Sequence, residues 1–386
     1  MVPLFDLKRQ YLRLRGEVLD AIDKAISSGR VILGENVSKL EEELADYFGV
    51  KCAVGVSSGT DALILSALAL GLKDGDILLT TPYTFIASAS AASWAGARPA
   101  FVDVDPTTMN IDLDLLEGEL SGKGRSDPSK VKAIVIVHLF GRSLDLERVE
   151  EIQKKYGIPV IEDVAQAFGA EWKFSDGSIK KAGSVGMISI LSFFPTKNLG
   201  TYGDGGAVLT NDEEICERVR MLRVHGSRVK YEHEMLGKNA RLDEIHAAIL
   251  RVKLKYVDSW NGRRMEIARR YGELFESFDL AEFLEYPQPV EGFRGHVFHQ
   301  FVVKFKKKDH RERVIDAFKK REIGFAVYYP KPLHLQKVFS DLGYSEGDFP
   351  VSEELSRTTL ALPMFPEMRE DEIEEVAVVM KNALKG

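Results

Sequence analysis

The chain has few of the residues that build cross-links, and no long apolar segment. Only two of its 386 residues are cysteines, Cys52 and Cys216, and they form no CxxC pair. We therefore expect neither a disulfide framework nor a zinc or other metal site. The same scarcity of cysteine predicts a reducing, cytoplasmic location. No apolar run approaches about 18 residues, and charge soon interrupts the first apolar residues, so we expect neither a membrane-spanning helix nor a signal peptide.

The chain also lacks an excess of positive charge. Its net charge is −7, which argues against nucleic acid or an anionic membrane as the main partner. Neither a GxGxxG nor a GxxxxGK[ST] segment is found at the glycine cluster of residues 200–206, so the usual nucleotide-binding motifs receive no support there. A hydrophobic content of 45% with 29% charged residues is typical of a globular enzyme.

Apolar strand-like runs alternate with amphipathic helical runs over the first two thirds of the chain. The runs lie at 77–80, 100–104, 133–137, 160–161, 187–192 and 207–209. This alternation predicts an α/β fold with a mostly parallel sheet covered on both faces. After about residue 245 we expect helices at 245–260 and 263–278, strands at 298–305 and 324–329, a charged helix at 309–321 and a closing helix from residue 370. We thus predict a large domain of residues 1–245 and a smaller α+β domain of residues 246–386.

One lysine, Lys197, stands in a loop of small residues directly after an apolar strand-like run. A lysine on the surface is the common interpretation of any single lysine. Here the preceding strand and the glycines that follow favour a buried amine that can act as a nucleophile.

Asp163 ends the run Val160-Ile-Glu-Asp, where α/β proteins bind their ligands. Such a carboxylate can keep a pyridine nitrogen protonated. A helix N-cap is an equally good interpretation of this aspartate alone. Gln166, three residues further on, could face the same side.

Four further places in the chain add weaker signals. Residues 57–60 (Ser-Ser-Gly-Thr) lie where a strand passes into a helix and could hold an anion, although a plain helix start has the same pattern. Phe85 could stack on a cofactor or simply pack in the core. His138 and His334 have no metal-ligand spacing, and we expect both to be structural. A lysine, an acidic partner and an anion cradle together match the needs of a pyridoxal phosphate (PLP) site.

The motifs taken in order resemble those of the sugar aminotransferases of the DegT/DnrJ/EryC/StrS group. The matching segments are residues 5–7, 32–34, 58–63, 81–85, 138–141, 162–166, 192–197, 237–243 and 329–334. The resemblance implies a fold-type I PLP enzyme whose large domain has a mixed, mostly parallel seven-stranded sheet between helices. It also implies a homodimer with shared active sites.

The same resemblance implies a role for each site residue. Lys197 would carry the PLP and shuttle protons, and Asp163 would pair with the pyridine nitrogen. The other cofactor-binding residues would be Gly59, Thr60, Phe85, Gln166, Ser192 and, from the second subunit, Asn239. Arg241 and Tyr329 would lie near the sugar. Tyr328 stands at a position that is often histidine in the family.

The reaction implied is a ping-pong transfer of an amino group from L-glutamate to a nucleotide-linked keto-sugar. The segments at 192–206 and 225–231 are most similar to enzymes that act on 3-keto sugars. A UDP-linked 2-acetamido-3-keto-glucuronate is the first expectation, and a dTDP-3-keto-6-deoxyhexose or a 4-keto sugar is the alternative. Two other classes remain open: a PLP-dependent sugar dehydratase, in which histidine replaces the lysine, and a non-catalytic regulatory member of the family.

Overall fold

The computed structural model describes residues 1–290 and 292–386. Its α-helices are α1 Leu7–Ser27, α2 Glu35–Phe48, α3 Gly59–Ala69, α4 Ala87–Trp94, α5 Leu113–Leu120, α6 Leu146–Tyr156, α7 Glu213–Leu222, α8 Glu244–Leu254, α9 Val257–Ser277, α10 Lys308–Arg321, α11 Pro350–Thr358 and α12 Glu370–Lys385. Its strands are β1 Cys52–Val56, β2 Ile77–Thr80, β3 Arg98–Phe101, β4 Val131–Val137, β5 Val160–Asp163, β6 Glu171–Lys173, β7 Ile179–Lys181, β8 Ile188–Ser192, β9 Gly206–Thr210, β10 Ser227–Val229, β11 Glu232–His233, β12 Leu284–Glu285, β13 Phe301–Phe305 and β14 Thr359–Leu362.

The central sheet has seven strands in the order β1-β9-β8-β5-β4-β2-β3, which confirms the predicted mixed sheet. All neighbours from β8 to β3 pair in parallel, whereas β9 runs antiparallel to β1 and to β8. Strands β1, β5, β8 and β9 are almost entirely buried, as expected for a sheet that helices cover on both faces. The carboxyl ends of the parallel strands therefore meet at one edge of the sheet, where ligands bind in such folds.

The C-terminal part of the chain builds a small antiparallel sheet, β12-β13-β14, with its own apolar cluster between α9, α10 and α12. Helix α8, at the boundary expected at residue 245, packs against α1 and α2 of the N-terminal part. The helix expected at 245–260 is interrupted at residues 255–256, where the Tyr256 amide bonds the Lys253 carbonyl in a tight turn. The division into domains at this point stays a prediction.

The prediction of a strand at 324–329 is wrong. Only Ala326 pairs with β14, through an isolated bridge to Ala361. Two residues further on, the Tyr328 carbonyl accepts a hydrogen bond from the Tyr83 hydroxyl at 2.6 Å, a side-chain contact in place of a ladder bond to β14. Residues 328–329 turn towards a cavity instead.

The two cysteines also differ from the expectation. Cys52 in β1 and Cys216 in α7 form a disulfide, with Cα atoms 6.3 Å apart. Helix α7 packs on β1 and brings together two residues that are 164 positions apart in sequence, a proximity that cysteine spacing could not indicate. None of the helices in the described ranges is long and apolar enough to cross a membrane.

Candidate active site

A cavity of about 450 Å³ lies at the carboxyl ends of the parallel strands. It brings together eight of the ten residues that the sequence singled out for catalysis, cofactor or substrate. They are Gly59, Thr60, Phe85, Asp163, Gln166, Ser192, Lys197 and Tyr329. The segments that carry them lie far apart in sequence, so only the order of the strands in the sheet gathers them.

Lys197 lies in the turn that follows β8. Its backbone amide donates to the Phe194 carbonyl at 2.8 Å, which holds the turn and directs the side chain into the cavity. Burial lowers the pKa of the Lys197 amine to about 8, although the negative charge of Asp163 opposes the shift. A substantial fraction of this amine is therefore neutral, and nucleophilic, at mildly alkaline pH.

Asp163 is the last residue of β5 and is 7% exposed. No helix begins after it, so its role is not that of a helix N-cap. Its carboxylate accepts hydrogen bonds from the Ala165 amide and the Ser88 hydroxyl, both at 3.1 Å. Burial raises the pKa of Asp163, against the opposing effects of the Ala165 amide, Lys197 and Ser88. The sequence did not indicate a role for Ser88 in α4, because a serine in an alanine-rich helix has no distinctive pattern.

The segment before α3 forms a close backbone cradle. Ser58 is the N-cap of α3, and its hydroxyl accepts from the Asp61 amide at 3.0 Å. A Cβ at Gly59 would lie 2.7 Å from the Ser192 Cβ, and one at Gly206 would lie 2.5 Å from the Ser58 carbonyl. These contacts require glycine and leave the first amides of the helix available to an anion.

Gln166 and Tyr329 form one connected unit at the side of the cavity. The Gln166 amide nitrogen donates to the Tyr329 hydroxyl at 3.2 Å, and its oxygen accepts from the Phe140 amide at 2.7 Å. These two bonds fix the orientation of the Gln166 amide. Phe85 is 56% exposed at the rim, so it is not a core residue.

Asn239 and Arg241 do not line the cavity of their own chain. They flank Ala240, whose carbonyl accepts a hydrogen bond from the Ser57 amide at 3.0 Å. Arg241 itself forms an isolated antiparallel β-bridge with Val56. This segment thus lies against the outside of the cradle, with Asn239 exposed. Their assignment to the site of a second subunit stays a prediction.

Both lone histidines are structural, as expected. His138 Nε2 lies 2.9 Å from Glu162, and the Leu144 amide donates to its Nδ1. His334 Nε2 pairs with Glu353 at 3.1 Å. The histidine that does reach the cavity is His299, next to Gln300, and the sequence reasoning missed it.

The arrangement fits PLP: an amine with a lowered pKa, a buried carboxylate and an anion cradle face one cavity. Lys197 would hold the aldehyde carbon, Asp163 the pyridine nitrogen, and Gly59, Thr60 and Ser192 the phosphate. With the seven-stranded sheet, these groups define the class of fold-type I PLP enzymes. Among the described residues no cluster of His, Cys, Asp and Glu could hold a metal ion.

The chain belongs to the DegT/DnrJ/EryC1/StrS aminotransferase family, whose family model matches residues 13–381. It is a PLP-dependent aminotransferase. The resemblance found in the sequence motifs is thereby confirmed over nearly the whole chain.

Several curated relatives cover almost all of the chain. It is 44% identical to the "pleiotropic regulatory protein" of Geobacillus stearothermophilus, over 96% of this chain and 95% of that protein. It is 39% identical to the UDP-N-acetyl-3-dehydro-alpha-D-glucosamine 3-aminotransferase of Acidithiobacillus ferrooxidans, over 100% and 98%. It is 34% identical to the UDP-2-acetamido-2-deoxy-3-oxo-D-glucuronate aminotransferase of Pseudomonas aeruginosa, over 99% and 100%.

Solved structures show the same fold. Streptomyces venezuelae DesV in complex with a ketimine intermediate superposes with a TM-score of 0.91 at 36% identity, covering 100% of this chain and 99% of that one. Bacillus subtilis NtdA with the bound cofactor PMP superposes with a TM-score of 0.90 at 28% identity, covering 100% and 85%.

Proposed function

We propose that this protein transfers an amino group from L-glutamate to the 3-keto carbon of a nucleotide-linked sugar. UDP-2-acetamido-2-deoxy-3-oxo-glucuronate is the first candidate, and the product would be an amino sugar for a surface polysaccharide. The observation that carries the proposal is the joint placement of Lys197 and Asp163 in one cavity beside an anion cradle. The names of the relatives from A. ferrooxidans and P. aeruginosa support a UDP-linked 3-keto sugar.

The chain's own residues divide the work in this proposal. When bound, PLP supplies an aldehyde at which one amine can replace another, and a ring that accepts electrons. The Lys197 amine, with its pKa near 8, takes a proton from the amino donor and returns one to the acceptor carbon. Asp163 holds a proton at the ring nitrogen, and the Ser88 hydroxyl orients the carboxylate that does so.

The sugar side of the cavity would be formed by Tyr329, held by Gln166, and by Arg241 of a second copy of the chain. Tyr328 also lines the cavity, where the family often has histidine. The phenol ring of Tyr328 is larger than the imidazole of a histidine, and this difference in size affects which sugar fits the cavity. A dTDP-3-keto-6-deoxyhexose or a 4-keto sugar is the alternative substrate within the same class. The proposal further includes a homodimer in the cytoplasm.

A regulatory role is the second candidate function, and the name of the G. stearothermophilus relative favours it. The presence of Lys197 and Asp163, in an arrangement that suits amine chemistry, favours an enzyme. The lysine also argues against the dehydratase alternative, since histidine takes its place in those relatives.

The direct test is an amination screen with purified protein, PLP and L-glutamate. The panel would contain UDP- and dTDP-linked 3-keto and 4-keto sugars, with product masses read by mass spectrometry. We expect a mass increase for a UDP-linked 3-keto sugar together with release of 2-oxoglutarate. Lys197→Ala is the control and should give no product. Binding of PLP without amination of any keto-sugar would favour the regulatory role.

A further inference from the structure

A second cavity, of about 590 Å³, lies where α1, α9 and residues 366–369 before α12 meet. It has no lining residue in common with the cavity around Lys197. Its walls come from both the N-terminal and the C-terminal parts of the chain, and ligand sites often form at such junctions. The motifs of the sequence and the proposed reaction give this second cavity no task.

The carboxyl group of Glu367 at this cavity is buried without a direct partner. Glu367 is 5% exposed, and its Oε1 has no hydrogen-bond partner in the described part of the chain. Burial raises the pKa of Glu367, against its own backbone amide and the charges of Arg264 and Arg13, neither of which forms an ion pair with it among the described residues. A buried carboxyl group without a donor is costly, so a donor supplied from the cavity would be bound strongly.

Two polar side chains of α1 at the same cavity also lack partners. Gln10 is 7% exposed, and its amide forms no hydrogen bond with the residues that the structure describes. Arg13 is exposed and forms no ion pair within the described ranges. Residues three apart share one face of a helix, and both side chains line the cavity. The cavity therefore offers a ligand an acceptor at Glu367, an amide at Gln10 and a guanidinium donor at Arg13.

One wall of the second cavity is aromatic. The rings of Tyr256 and Trp260 stack with centroids 5.9 Å apart and an interplanar angle of 23°. Both residues are partly exposed and line the cavity. The other two arginines of the lining, Arg263 and Arg369, already pair with acidic residues of their own neighbourhood. Arg13 is thus the guanidinium available to a ligand, beside a surface on which a ring can pack.

We propose that the second cavity binds an α-amino acid with an aromatic side chain, whose ammonium donates to Glu367, whose carboxylate accepts from Arg13 and whose ring packs on Trp260. Each end of the zwitterion then meets a group of opposite charge that the described residues leave without a partner. A simple anion would pair with Arg13 but leave Glu367 without a donor, and a simple amine would do the reverse. The volume of the cavity leaves room for a large side chain.

Calorimetric titration of the full-length PLP-loaded enzyme tests this site. Reduction of the lysine-bound PLP with borohydride first prevents amino acids from reacting at Lys197. L-Phenylalanine is the probe, and its matched analogues are 3-phenylpropionate, which lacks the ammonium, and phenethylamine, which lacks the carboxylate. We expect saturable binding of L-phenylalanine, and binding of each analogue that is weaker by at least about tenfold because one charged group of the cavity stays unpaired.

Two substitutions assign the binding to this cavity. Glu367→Gln keeps the size of the side chain, and we expect both it and Arg13→Gln to weaken L-phenylalanine binding by about tenfold or more. Arg15→Gln is the matched control, because Arg15 is an exposed arginine of the same helix that does not line the cavity, and it should leave binding unchanged. Glu367→Gln should also leave the melting temperature no lower, since it removes a buried charge that has no partner, whereas a structural role for Glu367 predicts a loss of stability.

Equal affinity for L-phenylalanine in Glu367→Gln and in the wild type would overturn the inference, as would the absence of saturable binding. Binding of 3-phenylpropionate as tight as that of L-phenylalanine would identify an anion site instead and would also overturn it. If Glu367→Gln does not fold, Arg13→Gln decides by the same comparison with Arg15→Gln. None of these measurements requires amination of a keto-sugar, so this site and the proposed function can fail separately.

Discussion

At the scale of single residues, the chemistry depends on two ionisable groups whose pKa values are shifted in opposite directions by burial. Burial lowers the pKa of Lys197 and raises that of Asp163. The charges of the two groups attract each other, and this attraction opposes both shifts. A proton shuttle and a carboxylate partner need this balance.

Asp163→Ala should keep the fold but lose most turnover, at least about a hundredfold, because the ring nitrogen would lose its acidic partner. Lys197→Ala is the matched variant and should lack the visible absorbance band of lysine-bound PLP. Circular dichroism controls for folding, and steady-state amination measures turnover. Full activity of Asp163→Ala would show that its carboxylate is not the electron-sink partner.

At the scale of elements, buried charged side chains hold the helices around the site. Glu244, 2% exposed at the start of α8, accepts from the backbone amides of Gly34, Asn36 and Val37. It therefore caps α2, whose own N-cap is a glycine without a side chain. Lys253, further along α8, donates to the Gly200 carbonyl at 2.7 Å and supports the loop that follows Lys197.

Glu244→Gln should lower the free energy of unfolding by about 1–3 kcal/mol, since its NH₂ group would face backbone donors. Urea denaturation measures the change. Glu43→Gln is the control: Glu43 pairs with Arg251 at the partly exposed surface, so its loss should cost less than about 1 kcal/mol. Equal effects of the two substitutions would argue against the capping role.

Lys253 should make stability depend on pH. Burial lowers the pKa of its amine to about 8 from 10.5. Between these values the unfolded chain binds a proton that the folded chain lacks, so the free energy of unfolding rises with pH. The stability of the wild type relative to Lys253→Met should therefore rise by up to about 3 kcal/mol from pH 8 to 10.5. Lys255→Met, at an exposed position, should show no such trend in urea titrations.

At the scale of the whole molecule, one covalent bond and one proposed interface connect distant parts of the chain. The Cys52–Cys216 disulfide joins β1, which leads into the anion cradle, to α7, which leads towards Asn239 and Arg241. The segment that would serve a second subunit is thus anchored to the cradle of its own chain.

Reduction of the disulfide should lower the free energy of unfolding by about 2–5 kcal/mol, because it closes a loop of 164 residues in the unfolded chain. Denaturation with and without a reducing agent measures the loss. Cys216→Ala is the control and should be insensitive to the reducing agent. A wild type that responds no more than this variant would show that the bond does not form in the purified protein.

Shared active sites predict complementation between two inactive variants. Lys197→Ala and Asn239→Ala homodimers should each be inactive or weak, whereas mixed dimers contain one site with both wild-type residues. Co-refolding the two should restore activity, and light scattering should show a dimer. No recovery in verified mixed dimers would mean that Asn239 serves the site of its own chain.

The sequence by itself determined the α/β class, the strand-end positions of Lys197 and Asp163, and the glycine-rich cradle. These are local patterns, because a strand, a turn and a helix start each have their own residue spacing. The motif order determined the family as well. The strand predicted at 324–329 was wrong, since its continuous apolar run looks like a strand, whereas the Tyr328 carbonyl bonds a tyrosine side chain instead of a neighbouring strand.

Only the tertiary structure decided the rest. The contact of Ser88 with Asp163, the shared cavity of His299 and Lys197, and the Cys52–Cys216 bond all join segments that are far apart in sequence. No local pattern marks such residues, because their function comes from the neighbour that the strand order brings to them. The setting of His299 is the clearest case: its Nδ1 contacts the Asn198 side-chain oxygen, Asn198 donates to Asn261 of α9, and no single segment of the sequence contains that information.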